Sequence, residues 1–467
     1  MSSHVISKDK KMQNAEKDKR YKLRERIPLV ILHYLAGTFA ANFYMLTRIN
    51  TKFWYAAIAC FILAFVLPIF CAGGFPTFRL KLSYYGIKVI LMFLVSTVVS
   101  VAVFTVTMVY IGKEGFGSWW PALVIPYTAG LFYFWVGIIC VYIGSNQLGI
   151  KYRVIGLLVG WIPIAHLFAL GIIIKKVNYE IKFEYAKNKL DLAREKDRVC
   201  ATRYPILLVH GVFFRDFNHF NYWGRTPKEL ERNGAVIFYG EHESASSVPE
   251  SGRQIAAKIM EIVREYNCGK VNIIAHSKGG LDSRYAVSKL GVAPYVASIT
   301  TVNTPHRGCE FADYLLGKAP QKLRDSVAAG YNAALRKIGD INPDFISSVV
   351  DLTASKCAQL NAEMSDFDMK ANGIYTQSVG SVLAHSQGGR FPLNMSYLLV
   401  KHFDGKNDGL VGEKSFPWGE KFTFIETTTK RGVSHGDVID LNRENIPGFD
   451  VREFFVELVS DLKNRGL

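Results

Sequence analysis

The feature that most constrains this chain is a succession of apolar, uncharged runs in its first 174 residues. Phe53–Ala72, Val89–Ile111, Pro121–Gly144 and Val154–Ile174 contain no Asp, Glu, Lys or Arg, and residues 27–47 are mostly apolar with His33 and Asn42 inside them. About 20 apolar residues cross the hydrocarbon core of a bilayer as a helix. Five such runs joined by short loops predict a membrane domain of about five transmembrane helices over residues 27–174, in preference to a set of buried core helices. The first run is the weakest because of its polar residues. Pro68, Pro126 and Pro163 are tolerable inside spans and predict kinks. Residues 1–26 hold nine Lys/Arg and four Asp/Glu and read as a basic tail, not a secretory signal.

The net charge of +16 invites a nucleic-acid reading. The positive residues instead cluster beside the apolar segments, where they set membrane orientation, so the expected partner is the lipid bilayer and not nucleic acid. With five crossings, the basic tail, Arg79/Lys81/Lys88 and Lys151/Arg153 share the cytoplasmic side. The second half of the chain is then extracellular, on a multi-pass cell-membrane protein. Lys175 and Lys176 weigh against that side, and four crossings would make it cytoplasmic. His33, Asn42 and His166 lie at membrane depth, where helix–helix hydrogen bonding is the expected role. The seven Cys have no CxxC spacing and imply neither a zinc site nor a disulfide framework.

Residues 175–203 alternate in charge, with Val177, Ile181 and Tyr185 at four-residue spacing. They predict a helical linker continuing the last span, either along the membrane surface or solvated. From Tyr204 the pattern changes to soluble α/β over 204–467. Strands are expected at Pro205–Val209, Ala235–Tyr239, Val271–Ile274, Val296–Val302, Gly373–Val379 and Phe422–Ile425. Helical spacing marks Ile255–Tyr266 and Phe454–Leu462. Strands alternating with helices imply a mostly parallel sheet covered on both faces.

The second half is organised around Val271-Asn-Ile-Ile-Ala-His-Ser-Lys-Gly-Gly280. A serine between a buried strand and a helix, with Ala275 and Gly279 on either side, describes a nucleophile elbow. Only small side chains fit the turn, and the helix start favours developing negative charge at Ser277. Val209-His-Gly-Val-Phe213 follows the first strand and offers the Val212 N–H as one oxyanion donor; Lys278 N–H is the other. In the chain order Ser, Asp, His, the acid is Asp408 of Asn407-Asp-Gly-Leu-Val411 and the base is His435 of Ser434-His-Gly-Asp437. Asp404 and Asp437 are rival acids. His276 is expected to point away from the site, and His210, His306, His385 and His402 read as structural or surface residues.

These segments, with Val302-Asn-Thr-Pro-His-Arg-Gly308, resemble the bacterial triacylglycerol lipases that have an Ala-x-Ser-x-Gly elbow. The resemblance covers about 260 residues and leaves out the membrane half. It implies an α/β-hydrolase fold with Ser277 as nucleophile, Asp408 as orienting acid, His435 as base, and Val212 and Lys278 as oxyanion donors. It also implies a helical lid near residues 310–350, with an apolar face from Phe311, Tyr314, Leu315, Leu316, Tyr331, Leu335 and Ile338. Secreted relatives carry a structural calcium near the catalytic histidine. Asp437 matches one carboxylate of that calcium site, and no second carboxylate is found. No His/Asp set matches the zinc site of the staphylococcal branch, and the chemistry itself needs no cofactor.

The expected function is therefore a membrane-anchored serine ester hydrolase. It would cleave carboxylic esters of lipids, triacylglycerols or related acylglycerols, through an acyl-enzyme. The same triad could serve a phospholipase, a thioesterase or an acyltransferase. A non-catalytic membrane sensor or scaffold is the alternative outside enzymology.

Overall fold

The computed structural model describes residues 22–467 apart from 161, 163–164, 213–221, 244–245, 338–345, 347–348, 426, 428 and 430, and without the side chains of 334 and 335. The chain forms two compact units, Met1–Ala193 and Arg194–Leu467.

In the first unit the helices are α1 (Ile27–Asn42), α2 (Phe53–Phe70), α3 (Phe78–Ile111), α4 (Phe116–Gly144), α5 (Gly149–Val159) and α6 (Ala165–Arg194). Among the described residues three helices are long and apolar enough to cross a membrane: Phe53–Phe70, Phe78–Glu114 and Phe116–Gly144. The other two apolar runs differ from the expectation. The first yields the 16-residue α1 and a separate turn of helix at Tyr44–Thr47. The last is shared between α5 and the start of α6.

Apolar surface in this unit points outward: Val98, Val109 and Phe132 are exposed, a pattern suited to contact with lipid tails. Small residues bring α3 and α4 together. A Cβ at Gly137 would lie 2.6 Å from Ile90 Cγ1 and 3.1 Å from the Gly86 carbonyl oxygen, so only glycine permits the approach. The membrane-depth polar groups find carbonyls. His33 Nε2 donates to Lys88 O at 3.2 Å, Asn42 Nδ2 to Thr38 O at 2.9 Å, and His166 Nδ1 to Ile162 O at 3.2 Å. The stripe Val177, Ile181 and Tyr185 of α6 faces neither lipid nor water. It packs in one cluster with Ile87, Ile138 and Val141. Glu180 on the same helix accepts from the N–H groups of Asn146 at 2.9 Å and Gln147 at 3.3 Å, and from Ser145. Those amides follow the end of α4, which explains why a charged residue sits within the stripe.

The second unit is a six-stranded parallel sheet in the order β2-β1-β3-β4-β5-β6. Its elements are β1 (Ile206–Val209), α7 (Thr226–Arg232), β2 (Ile237–Tyr239), α8 (Val248–Tyr266), β3 (Val271–His276), α9 (Lys278–Lys289), β4 (Val296–Val302), α10 (Glu310–Gly317), α11 (Gln321–Lys337), α12 (Ala354–Glu363), β5 (Tyr375–Ser381), α13 (Leu393–Asp404), β6 (Lys421–Ile425) and α14 (Val451–Asn464). This alternation is the α/β-hydrolase architecture expected from the pattern. Every residue of β1, β3 and β4 is buried, which is why these strands show no strict alternation of apolar and charged residues.

Successive side chains enter opposite cores. Ile206, Leu208 and Ile274 pack with Trp223, Phe455 and Val459 on one face. Leu207, Val209 and Ile273 pack with Ile255, Ile259 and Ala286 on the other. In the expected lid region, Phe311, Leu315 and Tyr331 share a buried cluster with Val400 of α13. Tyr331 and Ser396 hydroxyls are 2.7 Å apart. The Leu335 side chain and Ile338 lie outside the described residues.

Candidate active site

The carboxyl ends of β3 and β4 gather the site, as expected of an open parallel sheet. Ser277 sits between β3 and α9 with φ +57° and ψ −132°, a backbone conformation that a non-glycine residue adopts only under constraint. Its N–H donates to Val302 O at 3.0 Å, and its carbonyl accepts from Gly280 N at 3.1 Å. The surroundings leave no room for larger neighbours. A Cβ on Gly279 would lie 2.9 Å from Val209 Cγ1, and one on Gly211 would lie 2.7 Å from Ser277 Cβ. Small residues at these positions are thus a steric requirement of the turn.

Asp408 and His435 meet. His435 Nδ1 and Asp408 Oδ2 are 2.6 Å apart. A carboxylate only accepts, so Nδ1 carries the proton and Nε2 has its lone pair free. A second tie runs from His435 N–H to Asp408 O at 2.9 Å. Asp408 is fully buried, and its charge is answered on both oxygens. Oδ1 accepts from Leu410 N at 2.9 Å and Val411 N at 2.8 Å, while Oδ2 also accepts from Asn303 Nδ2 at 2.7 Å. A buried carboxylate needs such partners.

The rival acids are committed elsewhere. Asp404 accepts from the N–H groups of Glu310 at 2.9 Å and Phe311 at 3.0 Å, at the start of α10. Asp437 accepts from Ser434 N at 3.1 Å and pairs with Arg431 at 3.3 Å. Burial raises the Asp437 pKa, and Arg431 works against that rise. Arg431 also pairs with Glu444 at 3.2 Å. A guanidinium occupying one side of the Asp437 carboxylate repels a divalent cation, so this pair does not fit the calcium site implied by the resemblance.

Four residues of the site escaped the sequence reading. His276 does not turn away from the chemistry: its ring lies 4.5 Å from that of His435 and shares a hydrogen bond with the Tyr222 hydroxyl. Burial holds its pKa well below the ordinary value, with His435 adding to the effect, so the ring is neutral. Tyr222 in turn accepts from Gly211 N at 3.1 Å, linking the turn after β1 to the residue before Ser277. Asn303 has φ +45° and directs its amide to Asp408. Its place just past β4 was the available signal. Arg225 grips Asp440 through two 2.8 Å contacts, fixing the turn that follows His435. Lys278 opens α9, so its N–H belongs to the first turn, which has no carbonyl four residues back. Val212 is buried beside Gly211.

Residues 206–326 match the family model "Putative serine esterase (DUF676)". The chain is 32% identical over 213 residues to the triacylglycerol lipase of Pseudarthrobacter phenanthrenivorans, covering 41% of this chain and 66% of that one. It is 28% identical over 295 residues to the triacylglycerol lipase of Pseudomonas fragi, covering 57% of this chain and 98% of the other. It spans 59% and 56% of the lipases of Burkholderia plantarii and Vibrio cholerae. Among solved structures, the mature form of the Bacillus licheniformis lipase BlEst2 is similar over 56% of this chain and 92% of that one, at 22% identity and a TM-score of 0.42. The family model and the lipase relatives support an ester hydrolase.

Proposed function

We propose that this chain is a membrane-anchored serine hydrolase that cleaves carboxylic esters of lipids. The observation that carries the reading is the Asp408–His435 pair at 2.6 Å, packed through His276 against the strained Ser277 turn. His435 Nε2 takes the Ser277 proton as the hydroxyl attacks the ester carbonyl. Asp408 holds the ring in the tautomer that leaves Nε2 basic and stabilises the imidazolium that forms. The Val212 and Lys278 amides receive the oxyanion. His435 then protonates the leaving alcohol, and water activated at the same nitrogen releases the fatty acid. No step needs a metal, and chelation should leave turnover unchanged.

Three long apolar helices support anchoring in a bilayer. An odd number of crossings, three or five, from a cytoplasmic N-terminus puts the catalytic unit outside. Named relatives that are triacylglycerol lipases make acylglycerols the first substrates to test. The full chain in detergent should hydrolyse acylglycerol emulsions, and Ser277→Ala should abolish it. Release of acyl groups only to an added alcohol would reassign the reaction to transfer. Labelling of intact cells by a membrane-impermeant fluorophosphonate would support the external side, and labelling only after permeabilisation would reverse it.

A further inference from the structure

Behind the Ser277 turn lies a buried polar cluster that the triad does not use. Lys278 Nζ donates to Asp282 Oδ1 at 2.7 Å and to Ser251 Oγ at 3.0 Å. Both charged side chains are only 1% exposed. Asp282 Oδ2 lies 3.6 Å from His242 Nε2. The His242 ring stacks on His210 with centroids 4.0 Å apart and planes 13° from parallel. His210 Nδ1 donates to Gly211 O at 3.0 Å. Burial lowers the His210 pKa to about 3, with His242 and Lys278 adding to the effect, so a neutral ring faces the cation. The cluster thus runs from α8 through the first turn of α9 and the segment after β2 to the segment after β1.

Two of its members belong to the turns that carry the oxyanion amides. Lys278 supplies one amide itself, and its side chain is tied back to Asp282 one turn along α9. His210 stands two residues before Val212, which supplies the other. Replacing a buried ion pair with apolar residues is often neutral for stability, so stability alone does not account for a charged pair here.

We propose that Lys278, Asp282, His242 and His210 form a positioning device that fixes the separation of the Lys278 and Val212 amides. The inference rests on the reading of Ser277 as the nucleophile and of these two amides as the oxyanion site. None of the four side chains needs to touch substrate. Their effect is on the distance between two N–H groups on separate elements, where a small misplacement costs rate but not substrate affinity.

The test uses the full chain in detergent micelles. Asp282→Asn alone leaves a buried cation without its carboxylate and risks misfolding. The informative variant is therefore the double substitution Lys278→Met with Asp282→Leu, beside His242→Ala and the ring-preserving His242→Phe. Backbone hydrogen exchange is followed in residues 209–212 and 278–282, together with kcat and KM. The device predicts faster exchange in residues 209–212 for the double variant, although neither substitution lies on that segment. It predicts the same for His242→Ala and recovery in His242→Phe. It also predicts kcat lower by about tenfold with KM unchanged, a smaller loss than the ~10²–10³ of deleting an oxyanion donor. Unchanged exchange in residues 209–212 of a folded double variant would overturn the coupling, whatever the activity does. Absence of Ser277-dependent turnover in the unmodified chain would sink the hydrolase reading instead, and the exchange readout would still decide the coupling.

Discussion

The two units differ in where their large apolar residues lie. In the α/β unit β1, β3 and β4 are hidden, and Trp223 and Phe455 are fully buried in one of its cores. In the helical unit Val98, Val109 and Phe132 lie outside, while Lys187, Asp191 and Glu180 are buried. The same transfer cost explains both. Apolar groups of the α/β unit leave water by entering a core, and the outward apolar surface of the helical unit suits a lipid environment, in which polar groups must pair inside the protein. Glycine is used differently as well. Gly211 and Gly279 clear space around Ser277, whereas Gly86 and Gly137 let two helices touch.

This contrast can be broken by substitution. The largest effect belongs to the chemistry: Ser277→Ala should lower ester turnover ~10⁴-fold or more, and Asp408→Asn by about 10²–10⁴-fold with the fold intact. Turnover assays with circular dichroism check both. Next come the packing tests. Trp223→Ala should destabilise the α/β unit by about 3–5 kcal/mol in denaturant titration, by emptying a buried site. Gly137→Leu should cost the helical unit about 1–3 kcal/mol by overpacking against Ile90.

Acid should act on the α/β unit through its buried histidines. Burial holds His210, His276 and His306 below their ordinary 6.5. The folded unit keeps them neutral, while the unfolded chain binds protons below about pH 6.5. Their contribution is therefore complete above that pH and is lost as pH falls through it towards the folded values. The expected slope is about 1.4 kcal/mol per pH unit for each histidine, read from melting curves between pH 7 and pH 5. The smallest effect is expected at an outward position: Val109→Ala should change stability in detergent by under ~0.5 kcal/mol.

How much the sequence disclosed also differs between the units. Val271–Ile274 and Val296–Val302 announced a parallel sheet because strands buried on both faces cannot alternate. The expectation of Ser277, Asp408 and His435 rests on turn chemistry, which ties each to small residues and to chain order. The structure brings Asp408 and His435 into contact. Tyr222 and the His276–His435 contact were not readable, because their roles arise only when loops distant in sequence converge, and Asn303 offered only its place just past β4. Lys278 and Asp282 stand at helical spacing, yet nothing in that spacing tells a solvated pair from a buried one. In the helical unit apolarity and length identified α2, α3 and α4 well. They could not separate lipid-facing from protein-facing surface in α6, since Val177, Ile181 and Tyr185 have the same period in either setting.

The central claim is that Ser277 is an activated nucleophile served by His435 and Asp408. Its most direct test is fluorophosphonate labelling of the full chain, with the adduct located by peptide mass spectrometry. A single adduct on Ser277, lost in Ser277→Ala and slowed in His435→Ala and Asp408→Asn, is the predicted result. A folded protein with no adduct, or an adduct on another serine that persists in Ser277→Ala, would contradict it.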